Sequence, residues 1–281
     1  MAGDNASQVA DWNGAVGERW AAEQERTDQL IRAFGDAALA AAKAQAGEAV
    51  LDVGCGCGDT SLSLADAVGT SGRVLGVDVS APMLAVARQR AVGRTNLSFA
   101  EADASRATLP GPFDLLFSRF GVMFFDEPAA AFTQLRQALK PTGRMAFVCW
   151  AAPQDNPWAA LPAQTARKAS GLNLPPADPI APGPFAFADK DRVTGILSAA
   201  GFTNISHQSF EAAMYLGSSP RSAAEGAVRI GPASRVAREA GPERLPVIVD
   251  AVEAALTPHA SRDGSVSLPG RTWIVTAESR R

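Results

Sequence analysis

The chain has 281 residues, of which 47% are hydrophobic and 20% charged, with a formal net charge of -3 and an isoelectric point of about 5.5. These values are those of an ordinary globular protein, and they argue against a collagen, a coiled coil or a disordered chain. They provide no basic surface for a phosphate backbone, so we expect no nucleic-acid partner.

The sequence also carries expectations about compartment and assembly. No apolar run reaches the roughly 18 residues of a bilayer-spanning helix, and residues 1–14 lack the basic region and apolar core of a secretory signal. Three cysteines, Cys55, Cys57 and Cys149, are too few to imply a disulfide framework in a chain of this length. We therefore expect a cytoplasmic protein with no membrane partner, as a monomer or a homodimer.

The first predicted part of the chain is an N-terminal cap, residues 1–46. Gln24 to Ala44 is rich in alanine and predicts a helix, and the segment before it carries Trp12 and Trp20. We expect the cap to pack over the sheet that follows.

Residues 47–150 alternate short apolar runs with helical patterns, which is typical of a parallel sheet covered by helices. The predicted strands are Ala49–Val53, Arg73–Asp78, Asn96–Ala100, Phe113–Phe117 and Arg144–Val148. The predicted helices are Thr60–Val68, Pro82–Val92 and Pro128–Leu139. We expect all five strands to be buried, so this part forms the core of the fold.

Residues 151–221 hold a loop, a helix and a sixth strand. Gly171 to Pro184 contains five prolines, which predicts an irregular loop, and Asp189 to Ala200 predicts a helix. The sixth strand is expected from Gly201 towards Leu216. A last strand near Val266 to Ala277 lies within the final segment, residues 263–281.

A helical insert, residues 222–262, separates the last two predicted strands. We expect breaks between its short helices at Gly226, Gly231-Pro232 and Gly241-Pro242. The insert is long enough to act as a lid. With its cap, core and lid, the chain is predicted to be a single α/β domain.

A glycine-rich turn follows the first predicted strand, in the run Leu51-Asp52-Val53-Gly54-Cys55-Gly56-Cys57-Gly58-Asp59-Thr60. Glycines permit positive φ and let backbone N–H groups approach a ligand, and the helix N-terminus that follows favours a negative charge. A carboxylate or a phosphate is the expected guest. The spacing is G-x-G-x-G and not the G-x-G-x-x-G of dinucleotide-binding enzymes, which disfavours a nicotinamide-dependent oxidoreductase.

Two further acidic residues follow predicted strands. Asp78 ends the second strand, where a carboxylate can bind a ribose diol in either cofactor class, so it does not decide between them. Asp103 follows the third strand and can accept a hydrogen bond from an adenine amino group.

Four segments together resemble one family. Val50 to Thr60, Gly76 to Met83, the Asp103-Ala104 pair and Phe113 to Ser118 are similar to class I S-adenosylmethionine-dependent methyltransferases, and within them to small-molecule enzymes like the ubiquinone/menaquinone C-methyltransferases. The resemblance covers about residues 50–150. It implies a Rossmann-like, mostly parallel seven-stranded sheet with a reversed last strand, and S-adenosylmethionine as cofactor with S-adenosylhomocysteine as product.

The resemblance also implies cofactor roles for individual residues. These are Asp52 organising the turn, Gly54 and Gly56 against the methionine moiety, Asp78 on the ribose, Met83 against the adenine, Asp103 with Ala104 at its amino group, and Ser118 beside the sulfonium.

The acceptor side is predicted from the chemistry of the reaction. Methyl transfer from a sulfonium is an in-line displacement, so the enzyme has to align the reactants and exclude water, and an aromatic lining suffices. The candidate pocket residues are Trp12, Trp20, Phe120, Met123, Trp158 and, as a cation in the insert, Arg229.

Two residues are candidates for a catalytic role. Arg119 follows Ser118 and could hold an acceptor carboxylate or enolate in its fork, with a structural salt bridge as the equal alternative. His207 on the sixth strand is the candidate base, with His259 before the seventh strand as the open alternative. No metal site is predicted, because the cysteines show no fourth ligand and no C-x-x-C pair.

The sequence therefore predicts an enzyme that transfers a methyl group from S-adenosylmethionine to a small molecule in an aromatic-lined pocket. The alternatives are a non-catalytic S-adenosylmethionine-binding regulator and, less favoured, the nicotinamide-dependent oxidoreductase.

Overall fold

The computed structural model describes residues 6–175 and 178–279. Residues 1–5 of the cap, 176–177 of the proline-rich loop and 280–281 of the final segment lie outside the described residues. In chain order the elements are α1 (Ala6–Asn13), α2 (Ala15–Ala22), α3 (Gln24–Ala42), β1 (Ala49–Val53), α4 (Asp59–Val68), β2 (Arg73–Asp78), α5 (Ala81–Arg90), β3 (Leu97–Glu101), β4 (Phe113–Arg119), α6 (Pro128–Gln137), β5 (Leu139–Trp150), α7 (Pro157–Ser170), α8 (Lys190–Ala199), β6 (Thr203–Gly217), α9 (Pro220–Arg229), α10 (Pro232–Ala240), α11 (Leu245–Leu256) and β7 (Val266–Glu278).

The strands form one sheet in the order β3-β2-β1-β4-β5-β7-β6. Strand β1 pairs in parallel with β2 and β4, β2 with β3, and β4 with β5, whereas the last strand is antiparallel. This confirms the predicted Rossmann-like sheet with a reversed last strand. The strand order reverses between β1 and β4, and parallel sheets bind ligands at the carboxyl ends of the strands at such a point.

Burial along the strands follows their place in the sheet. Every residue of β1 is buried, because β1 has a parallel neighbour on each side. In β3 only Leu97 is buried, so the prediction that all five core strands are buried is wrong for this one. The reason is that β3 lies at the edge of the sheet, which no periodicity within one strand can show.

The structure differs from the predicted elements after β5 at two points, helix α7 and Gly226. The described residues of 171–184 form neither helix nor strand. Helix α7 was not predicted, although Pro157 stands in its first turn, where a missing N–H costs nothing. Gly226 does not break a helix: it lies buried inside α9, and only Gly231-Pro232 and Gly241-Pro242 separate helices.

Helix α3 is anchored at its C-terminal end by Arg144 of β5. The Arg144 guanidinium donates to the carbonyls of Ala42 (2.9 Å) and Lys43 (2.7 Å) and pairs with Glu48 at 2.7 Å. Carbonyls at a helix C-terminus have no partner within the helix, and a cation there offsets the helix dipole. This end of the cap is therefore fastened to the sheet.

The chain divides into two compact units. One comprises Met1–Cys149, Ile180–Phe210 and Thr272–Arg281, and the other comprises Trp150–Pro179 and Glu211–Arg271. The assignment of one domain with a cap and a lid stays a prediction. Among the described residues, no helix is long and apolar enough to cross a membrane.

The second unit is built around four helices, α7, α9, α10 and α11. Their buried positions include many small residues, among them Ala159, Ala166, Ala224 and Gly226, which let helix backbones approach closely. Asn156 is fully buried before α7, donates to the carbonyls of Ala151, Ala152 and Arg271, and accepts from the Arg271 amide. A buried amide with this many partners fixes the start of α7.

The first unit has an aromatic core on the α6 side of the sheet. Phe132 is fully buried, and its ring centroid lies 5.9 Å from Phe147, 6.1 Å from Phe187 and 6.4 Å from Phe202. We predict that Phe132→Ala lowers the free energy of unfolding by about 3–5 kcal/mol, because a large cavity replaces these contacts. Urea denaturation measures the change.

Val92→Ala is the control for this substitution, because Val92 is 82% exposed. Its unfolding free energy should stay within about 0.5 kcal/mol of the wild type. Equal effects of the two substitutions would contradict the aromatic core.

Candidate active site

The candidate site begins where the carboxyl ends of β1 and β4 meet. A Cβ atom on Gly54 would lie 2.7 Å from Gly121 Cα, closer than real Cβ atoms come to backbone, so both positions require glycine. The Ser118 hydroxyl donates to the Val53 carbonyl (2.7 Å) and accepts from the Gly121 amide (3.2 Å). Ser118 therefore joins the two strand ends, as a buried hydroxyl with both partners on the backbone.

The turn between β1 and α4 adopts the left-handed backbone that its glycines permit. Gly54, Gly56 and Gly58 have φ values of +67°, +53° and +83°. A Cβ on Gly56 would lie 2.8 Å from Met83 Cε, so Met83 lies directly against the turn. The structure thus places Met83 beside Gly56, and the cofactor roles of Gly54, Gly56 and Met83 stay predictions.

Asp52 is completely buried under this turn. Its Oδ2 accepts hydrogen bonds from the hydroxyls of Thr60 (2.8 Å) and Ser61 (2.6 Å), whereas its Oδ1 has no hydrogen-bond partner. Burial raises the pKa of Asp52 from 3.8 to about 6, against the two hydroxyls and the charge of Arg119, which lower it. A buried carboxylate oxygen without a partner can accept a hydrogen bond from a ligand.

Asp78 supports the turn from the end of β2. Its two oxygens accept from the amides of Gly56 (2.8 Å) and Ser80 (2.9 Å), and burial raises its pKa above the ordinary value. The contact with Gly56 places the carboxylate of Asp78 beside the glycine turn.

The cap is attached at the same strand end. Asn13 donates to the Val79 carbonyl (2.7 Å) and accepts from the Ala81 amide (2.9 Å), and the Ser80 hydroxyl donates to the Trp12 carbonyl (2.7 Å). The predicted packing of the cap over the sheet is therefore supported by specific contacts at the carboxyl end of β2.

Asp103 follows β3 and forms a tight local turn. One oxygen accepts from the amide (2.9 Å) and the hydroxyl (2.6 Å) of Ser105, while the other lies 3.9 Å from Nε of Arg106. Ala104 beside it is buried. The adenine-binding role of this pair stays a prediction.

Arg119 belongs to a ring of four charges, which we call the charge ring: Asp28, Asp59, Arg90 and Arg119. Arg119 lies 3.1 Å from Asp28 and 2.8 Å from Asp59, and Arg90 lies 3.0 Å from Asp28 and 3.2 Å from Asp59. Each arginine thus pairs with both carboxylates. Of the two roles considered for Arg119, the structure shows the salt bridge: its positive charge is balanced by the carboxylates of Asp28 and Asp59.

Aromatic side chains gather in the cap and after β4. The ring centroid of Trp12 lies 5.7 Å from Trp20 and 5.4 Å from Phe124, in edge-to-face geometry. Phe120 lies 6.3 Å from Phe34 and has a φ of +61°, which is rare for a bulky residue and occurs where the surroundings impose it. Of the predicted pocket residues, the structure brings Trp12 and Trp20 into contact.

Three predicted pocket residues have other surroundings. Met123 is fully buried in the turn that follows β4, which identifies it as a core side chain. Trp158 and Arg229 belong to the second unit, where Trp158 lies 4.6 Å from Trp150 and donates to Asn156. Arg229 ends α9.

His207 and the three cysteines are the remaining residues that the sequence singled out. The Nε2 atom of His207 is 2.9 Å from the Thr194 hydroxyl of α8, and desolvation lowers the pKa of this half-buried ring. The three cysteines are buried free thiols, and burial raises the pKa of Cys57 to about 12, which makes it unreactive. Within residues 6–175 and 178–279, no cluster of acidic, His or Cys side chains could hold a metal ion.

Five residues at the site were not predicted as functional: Asn13, Gly121 and the charge-ring members Asp28, Asp59 and Arg90. The spacing in α3 could have predicted that Asp28 is buried, because it lies seven residues before Gly35 and fourteen before Ala42 and so shares their buried face of the helix. Pairing between residues 28 and 119 depends on tertiary packing and leaves no local pattern.

The raised pKa of Asp52 predicts the pH dependence of stability. Below pH 3.8 the carboxyl is protonated in both states, and between pH 3.8 and 6 only the folded state keeps the proton, so stability falls as the pH rises. Relative to Asp52→Asn, the wild type should lose about 2 kcal/mol of unfolding free energy from pH 4 to pH 7. Denaturation curves at both pH values measure this.

Asp66→Asn is the control for the pH experiment. Asp66 is exposed and paired with Arg94, whose hydrogen bond lowers the pKa of Asp66, so its small effect has the opposite sign. A stability difference between the wild type and Asp52→Asn that does not change with pH would contradict the raised pKa.

Comparisons with known proteins identify relatives of the chain. The Methyltransferase domain family matches residues 50–143. The demethylmenaquinone methyltransferase of Staphylococcus saprophyticus is 30% identical over 188 residues, covering 62% of this chain and 79% of that protein. The ubiquinone/menaquinone biosynthesis C-methyltransferase UbiE of Cellvibrio japonicus is 32% identical over 121 residues, covering 42% of this chain and about half, 49%, of that protein.

Solved structures support the fold. YcgJ of Bacillus subtilis aligns with a TM-score of 0.57 and 18% identity over 86% of this chain and 96% of that one. A phosphoethanolamine N-methyltransferase of Haemonchus contortus, in complex with S-adenosylmethionine, aligns with a TM-score of 0.60 and 17% identity over 99% of this chain and 60% of that one. Because the chain covers 79% of a methyltransferase to which it is 30% identical, it belongs to the class I methyltransferases, enzymes that take a methyl group from S-adenosylmethionine and release S-adenosylhomocysteine.

Proposed function

We propose that the protein binds S-adenosylmethionine against the glycine turn and methylates a small aromatic acceptor. The observation that carries this proposal is the buried Asp52 under a turn of three glycines, with one carboxylate oxygen unpartnered. The residues fit the cofactor. Its ammonium group needs an acceptor such as Asp52 Oδ1, and its carboxylate needs N–H donors such as those of the turn and of α4.

In this proposal the ribose lies at Asp78 and the adenine between Met83 and Asp103. Asp78 stands at the end of the strand next to β1, and Met83 lies against Gly56, so both adjoin the turn. Gly54 and Ser118 define the place where β1 and β4 meet, which we assign to the sulfur end of the cofactor.

When bound, S-adenosylmethionine supplies an electrophilic methyl group on a positively charged sulfur. The protein's own part is to hold the acceptor in line and to keep water away. Trp12, Trp20 and Phe124 form an aromatic surface suited to a flat, mostly apolar acceptor. We assign no general base, because His207 pairs with Thr194, and Arg119 is already paired with two carboxylates.

The aromatic surface and the names of the relatives support a proposal for the acceptor class. Those names refer to ubiquinone, menaquinone and, for a Streptomyces relative 36% identical over 104 residues, aklanonic acid. We propose an electron-rich hydroxylated ring, such as a quinol, whose anion forms a bond to the methyl carbon as the methyl–sulfur bond breaks, so that the two charges cancel. A ring carbon methylated in this way then loses its proton to the solvent.

The first test concerns the acceptor. Purified protein is incubated with methyl-labelled S-adenosylmethionine and a naphthoquinol that has an unsubstituted ring carbon, and the label in the extracted ring is measured. We expect label on the quinol and none on the corresponding oxidised quinone, which cannot form the anion. Tight cofactor binding without label on any quinol would favour the non-catalytic binder.

The second test concerns the cofactor site. We predict that Asp78→Ala weakens S-adenosylhomocysteine binding about ten- to a hundredfold, because charge-assisted hydrogen bonds worth about 1.5–3 kcal/mol are lost. Isothermal titration calorimetry measures the affinity, and circular dichroism verifies the fold.

Asp114→Ala is the matched control for Asp78→Ala. Asp114 also accepts a backbone hydrogen bond, from Ala49 at 2.9 Å, but it lies near the beginning of β4, at the amino end of the strands and away from the candidate site at their carboxyl ends. Its loss should leave the affinity within about twofold, since it makes no ligand contact in this proposal. Normal binding by folded Asp78→Ala protein would remove Asp78 from the site.

A further inference from the structure

We propose that the charge ring is a positioning element that sets the affinity for the cofactor by holding the glycine turn in its binding conformation. The inference rests on the proposed cofactor site. It gives Arg119 a role that acts through the turn, instead of a contact with the acceptor, and it gives Asp28 of the cap a part in cofactor binding.

The ring joins four separate elements of the first unit. Asp28 comes from α3, Asp59 begins α4, Arg90 ends α5 and Arg119 ends β4. The four ion pairs, at 2.8 to 3.2 Å, close a circuit in which two positive and two negative charges balance. A closed circuit constrains all four elements together, because displacement of one member breaks two pairs.

The ring is largely shielded from water. The side chains of Asp28 and Arg119 are 8% and 10% exposed, and those of Asp59 and Arg90 are 22% and 25% exposed. Removing one carboxylate leaves two arginines with a single carboxylate between them, and an excess charge in a shielded place costs far more than the loss of an exposed pair. The ring therefore responds sharply to the loss of a single carboxylate.

Two contacts connect the ring to the turn. Arg90 donates a 2.8 Å hydrogen bond to the carbonyl of Cys57, and Asp59 is the first residue of α4. Between them lies Gly58, with a φ of +83°. The ring thus holds the residues on both sides of Gly58 and so sets the direction of the last N–H groups of the turn and the first N–H groups of α4. These N–H groups are the donors that the cofactor carboxylate needs.

Helix α3 approaches the ring closely. A Cβ on Gly35 would lie 2.9 Å from Cδ of Arg119, so the helix backbone passes directly over the arginine. Asp28 is two turns before Gly35 on the same face. The cap therefore supplies one of the four members of the ring, and in this proposal the turn is held in its binding conformation only when α3 is packed against it.

The variant Asp28→Asn tests this proposal. It keeps the size of the side chain and leaves two arginines sharing one carboxylate. We expect the dissociation constant for S-adenosylhomocysteine, measured by calorimetry, to rise at least about tenfold because the turn is no longer preorganised. Hydrogen exchange of the amides in residues 54–60 should become faster.

Glu48→Gln is the matched control. Glu48 pairs with Arg144, which holds the other end of α3, so this variant also loosens the helix but does not touch the turn. We expect a similar loss of thermal stability with an affinity within about twofold of the wild type. Equal effects of Glu48→Gln and Asp28→Asn on affinity would reduce the ring to a general stabilising element and overturn the proposal.

Two further variants test whether the members act as one unit. Arg119→Lys keeps the charge but loses the fork that reaches two carboxylates, so its affinity should lie between those of the wild type and Arg119→Gln. The double variant Asp28→Asn/Arg119→Gln should bind no more weakly than the weaker single variant, because both break the same circuit. Additive losses would overturn the proposal.

The outcomes separate this proposal from the one it rests on. Wild-type protein that binds no S-adenosylhomocysteine would remove the cofactor site itself. Wild-type protein that binds it, with Asp28→Asn binding equally well or more tightly while losing stability, would keep the site and remove the role of the ring.

Discussion

The close approach of the backbones at Gly54 and Gly121 is the constraint on which the candidate site depends. A side chain at either position would collide with the other strand end, and Ser118 spans the gap with hydrogen bonds to Val53 and Gly121. This contact brings the ends of β1 and β4 together where the strand order reverses. Because these contacts hold the two strand ends together, the start of the turn after β1 has a fixed position. The orientation of the N–H groups later in the turn can then be set by residues outside the sheet.

Three buried or half-buried acids near the turn, Asp52, Asp78 and Asp28, differ in their hydrogen-bond and ion-pair partners. Asp52 has one oxygen satisfied by hydroxyls and one unpartnered, and burial raises its pKa. Asp78 is held by backbone amides of the turn and the β2–α5 connection. Asp28 is matched by two arginines. A carboxylate with an unpartnered oxygen is suited to binding a ligand, whereas a carboxylate paired with arginines is suited to holding elements together. The surroundings of each group therefore separate the roles of chemically identical side chains.

Much of the core could be predicted because its signals are local. Strands β1 and β2 coincide with the predicted ranges, and the G-x-G-x-G turn between β1 and α4 has the positive φ values that its glycines imply. The exposure of β3, the continuity of α9 through Gly226 and the existence of α7 were not predicted. Each depends on neighbours in space: β3 lies at the edge of the sheet, Gly226 lies among packed helices that favour a small residue, and α7 holds Pro162 inside a packed helix.

The sequence by itself determined the family, the central sheet and the place of the cofactor turn, because these rest on glycine conformation, strand periodicity and residues within a few positions of each other. Only the tertiary structure decided that Arg119 belongs to a neutral ring with Asp28, Asp59 and Arg90, that Asn13 fastens the cap to the end of β2, and that His207 pairs with α8. The physical reason is that a charged or polar side chain acquires its role from its partner. Partners 60 to 91 residues apart, such as Arg119 with Asp59 and Asp28, are chosen by the packing of whole elements.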